Sequence, residues 1–167
     1  MSSEPSAVKH IKQKHRLIQK ALQLLSQASE DASSPEARPD FQVLRERLLQ
    51  LKDMLRREHY ATRNGIVSLL IAHRCPAMQP VLDRLRREHN QGVLLVRALI
   101  DALEVCESTG MRHGSSFDAA IKSCREIHHG RIQVEQSYVL PVAMDYLSKA
   151  DWLAIDLSLS VRSYSGE

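Results

Sequence analysis

The stretch Phe117–Ala143, FDAAIKSCREIHHGRIQVEQSYVLPVA, combines an apolar helical stripe with charged residues on that same stripe. Steps of three and four residues give one face that carries Phe117, Ile121, Cys124, His128, Arg131, Glu135, Tyr138 and Val142. Such spacing predicts an amphipathic helix whose inner face packs against other helices. Because Arg131 and Glu135 are four residues apart, we expect both side chains on this inner face.

Three earlier segments show the same helical spacing, and each has a histidine on its apolar stripe. The first segment carries Ile11, Ile18, Leu22 and Leu25, the second Leu48, Leu55 and Ile66, and the third Val81, Leu85, Val96 and Leu103. Their histidines are His15, His59 and His89, in that order. We therefore predict four long helices, connected mostly by short loops that contain Ser, Pro, Asp or Gly.

The second segment contains one signal that argues against a continuous helix. It begins near Phe41 and keeps its helical spacing to about Leu70, but Asn64-Gly65 is a turn sequence. We predict one unbroken helix, because the apolar run IVSLLIA follows this pair at once.

Four helices with short connections predict an all-α fold, an antiparallel up-down-up-down four-helix bundle. The segment SKADWLAIDLSLS adds a short fifth helix at the C-terminus, capped by Ser148. We assign residues 1–160 to this single domain and residues 161–167 to a flexible tail, since 167 residues suit one domain with its own core.

The composition excludes several classes of protein. A net charge of +3, with Arg interleaved among Glu and Asp, does not predict nucleic-acid binding. The sequence has no apolar run long enough for a membrane span and no signal peptide. Cys75, Cys106 and Cys124 are scattered, which predicts buried free thiols in a reducing compartment, so we expect a cytoplasmic protein. A homodimer is possible, and the sequence identifies no protein partner.

The pentapeptide LRREH occurs twice, at residues 55–59 and 85–89. The identity does not extend beyond these five letters, so an internal repeat is excluded. Each copy ends in one of the histidines that we place toward the bundle axis.

The three histidines and Glu135 are the candidate functional residues. A single histidine on an apolar stripe is usually a core residue with a satisfied hydrogen bond. Four polar groups buried together are unfavourable unless they satisfy one another or bind something. Imidazoles and a carboxylate that converge inside a four-helix bundle are typical of non-haem metal sites.

The sequence resembles the bacterial hemerythrin-like, or HHE cation-binding, proteins over nearly its whole length. The resemblance rests on IKQKHRLI, EHYATRN, VLDRLRREHNQG, RIQVEQSYVLPVA and ADWLAID, of which the third and fourth are the most specific. It implies a non-haem di-iron protein that binds or senses oxygen, nitric oxide or iron. In the family pattern, helices one and three each supply a His, and helices two and four each supply a His followed four residues later by a Glu.

This sequence keeps four of the residues that the family pattern implies and departs at two. His15, His59, His89 and Glu135 match candidate metal ligands, whereas Arg63 replaces the Glu of helix two and Arg131 the His of helix four. Because a permanently charged guanidinium does not ligate metals, we expect the di-iron centre to be lost. We expect no bound cofactor, no enzymatic activity, and a regulatory or structural role.

The two arginines have two possible orientations. In our hypothesis, one or both guanidiniums pair with Glu135 inside the bundle and occupy the space of the lost metals. In the alternative, Arg63 and Arg131 extend outward to water.

Two other functions stay open from the sequence. His15, His59, His89 and Glu135 are also a suitable set for one Fe, Zn or Mn ion, with His128 as a possible displaced ligand. The bundle could instead be an interaction module whose outer surface carries the function.

Overall fold

The computed structural model describes residues 3–34, 40–58, 65–110 and 114–163, and the regular elements of this part of the chain are all helical. They are α1 (Ser6–Ser33), α2 (Phe41–Glu58), α3 (Ile66–Arg74), α4 (Gln79–Thr109), α5 (Ser115–Val134), α6 (Leu140–Tyr146) and α7 (Lys149–Ser163). A 3₁₀ turn, Pro76–Met78, precedes α4, and a π turn, Glu135–Val139, joins α5 to α6. No helix within these ranges is long and apolar enough to cross a membrane.

Helices α1, α2, α4 and α5 form the bundle. Around its axis, α1 packs on α2, α2 on α4, α4 on α5, and α5 on α1. Ser29, near the end of α1, donates a 2.6 Å hydrogen bond to Asp118, near the start of α5. Arg45, near the start of α2, pairs with Glu107, near the end of α4. These end-to-end contacts confirm the predicted antiparallel bundle.

The predicted fifth helix is α7, which packs against α1 and α3. Ser148 caps it, as expected: the amide of Asp151 donates to Ser148 Oγ at 3.2 Å, and the amide of Ser148 donates to the Asp151 carboxylate at 2.9 Å. Arg74 of α3 donates two further bonds to this carboxylate, at 3.1 and 3.2 Å. Helix α7 ends at Ser163, and the prediction of a flexible tail is not tested, because residues 164–167 lie outside the described part.

The prediction of one continuous second helix is wrong. Helix α2 ends at Glu58, and α3 begins after Gly65, whose backbone is extended (φ −96°, ψ −174°). An extended residue interrupts the ladder of helical hydrogen bonds, so the turn signal Asn64-Gly65 prevails over the apolar run that follows it. Residues 59–64, which include His59 and Arg63, lie outside the described part of the chain.

The π turn shifts the inner face of the last bundle helix by one residue. The amide of Leu140 donates to the carbonyl of Glu135, five residues earlier. Pro141 follows directly, and a proline has no amide hydrogen to continue the α-helical ladder. As a result Val139 and Ala143 are buried, whereas Tyr138, which we predicted to face inward, is 50% exposed.

Two apolar clusters fill the interior. The first contains Ile18, Leu22 and Leu25 of α1 with Leu44, Leu48, Leu51, Leu55, Val96, Leu99, Leu103 and Ile132. The second contains Ile11, Val67, Ile71, Leu85, Val139, Leu140 and Trp152. Along α1, His15 lies between Ile11 of the second cluster and Ile18 of the first. The two apolar clusters are therefore separated by a layer that contains polar residues.

The cysteines only partly match the prediction of buried thiols. All three are free, but only Cys124 is buried, while Cys75 and Cys106 are half-buried. Burial raises the pKa of the Cys124 thiol to about 12, so this side chain stays protonated and unreactive at neutral pH.

Candidate functional site

The polar layer between the two apolar clusters contains the candidate functional residues. Its members are at most 6% exposed and come from α1, α2, α4, α5 and the π turn: His15, Glu58, His89, His128, Arg131 and Glu135. Buried polar groups are unfavourable unless they bond to one another, so their mutual contacts decide what this layer does.

Arg131 is the centre of the layer. Its side chain is completely buried, and its guanidinium donates to both oxygens of Glu58, from Nη1 to Oε1 and from Nη2 to Oε2, each at 3.0 Å. Nη1 also donates to Glu135 Oε1 at 2.8 Å. This arrangement confirms that Arg131 pairs with Glu135 inside the bundle, and the outward orientation is wrong for this residue. The corresponding hypothesis for Arg63 lies outside the described residues.

Glu58 is a second buried carboxylate that the sequence analysis missed. Burial alone would raise its pKa, but the charge of Arg131 and the contact with His15 lower it to about 2. The spacing of α2 contained a usable signal, because the buried residues Leu44, Leu48, Leu51 and Leu55 alternate steps of four and three. The next step of three reaches Glu58. The sequence prediction placed the next residue, His59, on this stripe instead.

His15 connects the two carboxylates. Its Nε2 lies 2.7 Å from Glu135 Oε2 and 3.5 Å from Glu58 Oε1, and the side-chain amide of Gln136 is 3.2 Å from its Nδ1. Burial by itself would lower the pKa of His15, but the hydrogen bonds and negative charges of the two carboxylates raise it to about 9. At neutral pH the imidazolium of His15 and the guanidinium of Arg131 therefore both place positive charge against Glu58 and Glu135.

His128 completes the surroundings of Arg131. Its Nδ1 lies 3.4 Å from Arg131 Nη2, and its Nε2 has no hydrogen-bond partner within the described ranges. Burial lowers the pKa of His128 in spite of the nearby carboxylates, so the ring is neutral and Nδ1 accepts from the guanidinium. The ring lies directly on α4 at Gly92, where a Cβ would be only 2.3 Å from His128 Nε2.

The described residues do not fit a di-iron centre. All four carboxylate oxygens of Glu58 and Glu135 already face cationic groups, three of them Arg131 and the fourth His15. A guanidinium roughly 5 Å from a dication would repel it by about 7 kcal/mol at an effective dielectric constant near 20. A metal at this position would therefore have to displace Arg131.

The structure brings together only part of the predicted ligand set. Among the described residues, one group of possible ligands has donor atoms that all lie within 4.8 Å of one another: His15, Glu58 and Glu135. His15 and Glu135 were predicted. His89 is buried in the same layer as expected, but it does not belong to this group. His59 lies outside the described part, so its predicted role is not tested.

Comparison with known families agrees with the helical bundle fold. The family model of the hemerythrin HHE cation binding domain matches residues 6–143. The chain belongs to this family. The match extends from the start of α1 to α6 and includes all the residues of the polar layer. No curated protein matches the sequence.

Proposed function

We propose that this hemerythrin-like protein carries no di-iron centre and that its polar layer is an ionic cross-link within the bundle. The observation that carries this proposal is the buried guanidinium of Arg131, which binds Glu58 and Glu135 at 2.8–3.0 Å. In our proposal the protein has a structural or regulatory role and is not an enzyme.

The cross-link joins helices that are distant along the chain. Arg131 of α5 binds the last residue of α2, and His15 of α1 contacts carboxylates from both α2 and the π turn. Buried ion pairs do not necessarily add net stability compared with apolar residues, but losing one partner is strongly unfavourable. Such a cluster therefore favours the one packing arrangement in which every charge is paired, which is our reason for a structural role.

A mononuclear metal site is the second candidate function. It is favoured by the group His15, Glu58 and Glu135, whose donor atoms lie within 4.8 Å of one another. Imidazole and carboxylate are suitable ligands for Fe, Zn or Mn. This function is less well supported, because Arg131 binds the same carboxylates and would have to move away.

Metal analysis distinguishes the two candidates. The protein is produced in iron-replete medium, purified without chelators, and examined for metal content and optical absorption. We expect far less than one metal ion per chain and no charge-transfer bands. A thermal melt with added Fe(II), Zn(II) or Mn(II) should show no shift, since a ligand that binds the folded state would raise the melting temperature. One ion per chain would support the mononuclear site, and two irons per chain would contradict the proposal.

A further inference from the structure

The atoms around the Arg131 guanidinium resemble the donor set of a metal ion. Three carboxylate oxygens, two from Glu58 and one from Glu135, accept hydrogen bonds from it at 2.8–3.0 Å. The neutral His128 ring directs Nδ1 at it from 3.4 Å. Carboxylate oxygens and neutral imidazole nitrogens are also the groups that bind divalent transition metals.

His15 lies on the other side of the same carboxylates. Its Nε2 is 2.7 Å from Glu135 Oε2, and it belongs with Glu58 and Glu135 to the group whose donor atoms lie within 4.8 Å of one another. The guanidinium therefore fills a buried position between Glu58, His128 and Glu135, and His15 contacts the same two carboxylates.

We infer that Arg131 occupies the cation position of a second ligand set, formed by Glu58, His128 and Glu135, and that this one side chain excludes a divalent metal from it. This set differs from the one that the family resemblance implies, because it contains Glu58 and His128 and shares only Glu135 with that one. The inference rests on the proposed function, in which the unaltered protein contains no metal at this position.

The charges of the layer support this inference. The Arg131 guanidinium is a permanent positive charge that bonds to both carboxylates, so its loss removes one buried positive charge from between them. A divalent cation would supply that charge and would bind atoms that already point toward a common centre.

Removal of the guanidinium tests the inference, with Co(II) as the probe. The variants are Arg131→Ala, and Arg131→Met, which retains most of the side-chain volume without the charge. Co(II) per chain is measured by equilibrium dialysis and visible absorption, and folding by circular dichroism. We expect about one Co(II) per chain, bound at least roughly 100-fold more tightly than by the unaltered protein, because the like charge at the site is gone.

Two controls locate the bound ion. Arg125→Ala removes an exposed guanidinium from the same helix and changes the net charge equally, so it should bind no additional Co(II). Adding Glu58→Gln to either Arg131 variant should abolish the new site, whereas weak binding to surface histidines should persist.

The possible results separate this inference from the proposed function. Co(II) binding by either Arg131 variant, sensitive to Glu58→Gln, supports the inference. The inference is overturned if both Arg131 variants fail to bind Co(II). It is also overturned if neither variant folds at saturating Co(II). Stoichiometric, Glu58-dependent binding by the unaltered protein would contradict the proposed function as well.

Discussion

The duplicated LRREH pentapeptide provides a matched pair of substitutions that tests the ionic cross-link. The Glu of the first copy, Glu58, is 1% exposed and accepts two hydrogen bonds from buried Arg131. The Glu of the second copy, Glu88, has a half-buried side chain, 25% exposed, that pairs at 2.7 Å with exposed Arg84 four residues earlier. Glu58→Gln and Glu88→Gln therefore make the same chemical change in the same local sequence at two different depths.

The structure predicts very different losses for the two variants. At position 58 a glutamine retains the shape of the side chain, but its amide N–H group is a donor that faces the donors of the Arg131 guanidinium. The substitution also removes one of the two negative charges that pair with this guanidinium. Removing one partner of a buried ion pair lowers the free energy of unfolding by about 3–5 kcal/mol. At position 88 only an i,i+4 pair at the bundle surface is lost, which amounts to about 0.3–0.5 kcal/mol.

Urea unfolding, followed by circular dichroism near neutral pH, measures both free energies. Urea is preferable to guanidinium chloride, whose cation resembles the Arg131 side chain and screens charges. In thermal melts, the Glu58→Gln loss corresponds to a fall on the order of 10 °C. If both variants lose the same small free energy, Glu58 is not paired inside the bundle and the cross-link is refuted.

Two further predictions follow from the same layer. Contacts with carboxylates raise the folded-state pKa of His15 from 6.5 to about 9. The contribution of His15 to the free energy of unfolding is therefore complete below about pH 6.5 and is lost as the pH rises through 9. Unfolding free energy should therefore fall by roughly 3 kcal/mol over this range, and His15→Gln should flatten the decline; an equally steep decline in that variant would contradict the assignment. Gly92→Ala should lower stability by about 1–3 kcal/mol, because its Cβ would be 2.3 Å from the His128 ring. Gly130→Ala, where a Cβ meets nothing within 4 Å, should be neutral or stabilising, and equal losses in the two variants would rule out the close helix contact.

Much of the fold follows from helical periodicity, because apolar residues at a constant helical spacing define the inner face of each bundle helix. The stripes predicted the four bundle helices and the inward positions of His15, His89, Arg131 and Glu135, all of which are buried. Capping chemistry likewise predicted the start of α7 at Ser148. These features depend on local sequence, and local sequence was sufficient to predict them.

The errors occurred where the helical period itself changes. After Glu135 the π turn inserts one residue, so a constant period placed Tyr138 inside, where Val139 lies instead. At Gly65 an extended residue interrupts the helical hydrogen bonds, although the apolar pattern continues past it. Turns of this kind depend on backbone hydrogen bonds, which the hydrophobic pattern does not encode.

The candidate site was only partly predictable, because its chemistry depends on contacts between helices. Arg131 and Glu135 are only four residues apart, so their pairing could be proposed from spacing alone. The strongest partner of Arg131 is Glu58, which is 73 residues away, and only the packing of α2 on the bundle brings them together. The family pattern also directed attention to the histidine next to Glu58 and away from the carboxylate.

The central claim is that a guanidinium, rather than metal, occupies the centre of the polar layer. Anomalous diffraction at the iron absorption edge, from crystals of protein produced in iron-replete medium, tests it most directly. We expect no anomalous peak between the two apolar clusters, and continuous density for Arg131 in contact with Glu58 and Glu135. One or two strong peaks among His15, Glu58 and Glu135, with Arg131 displaced, would contradict it.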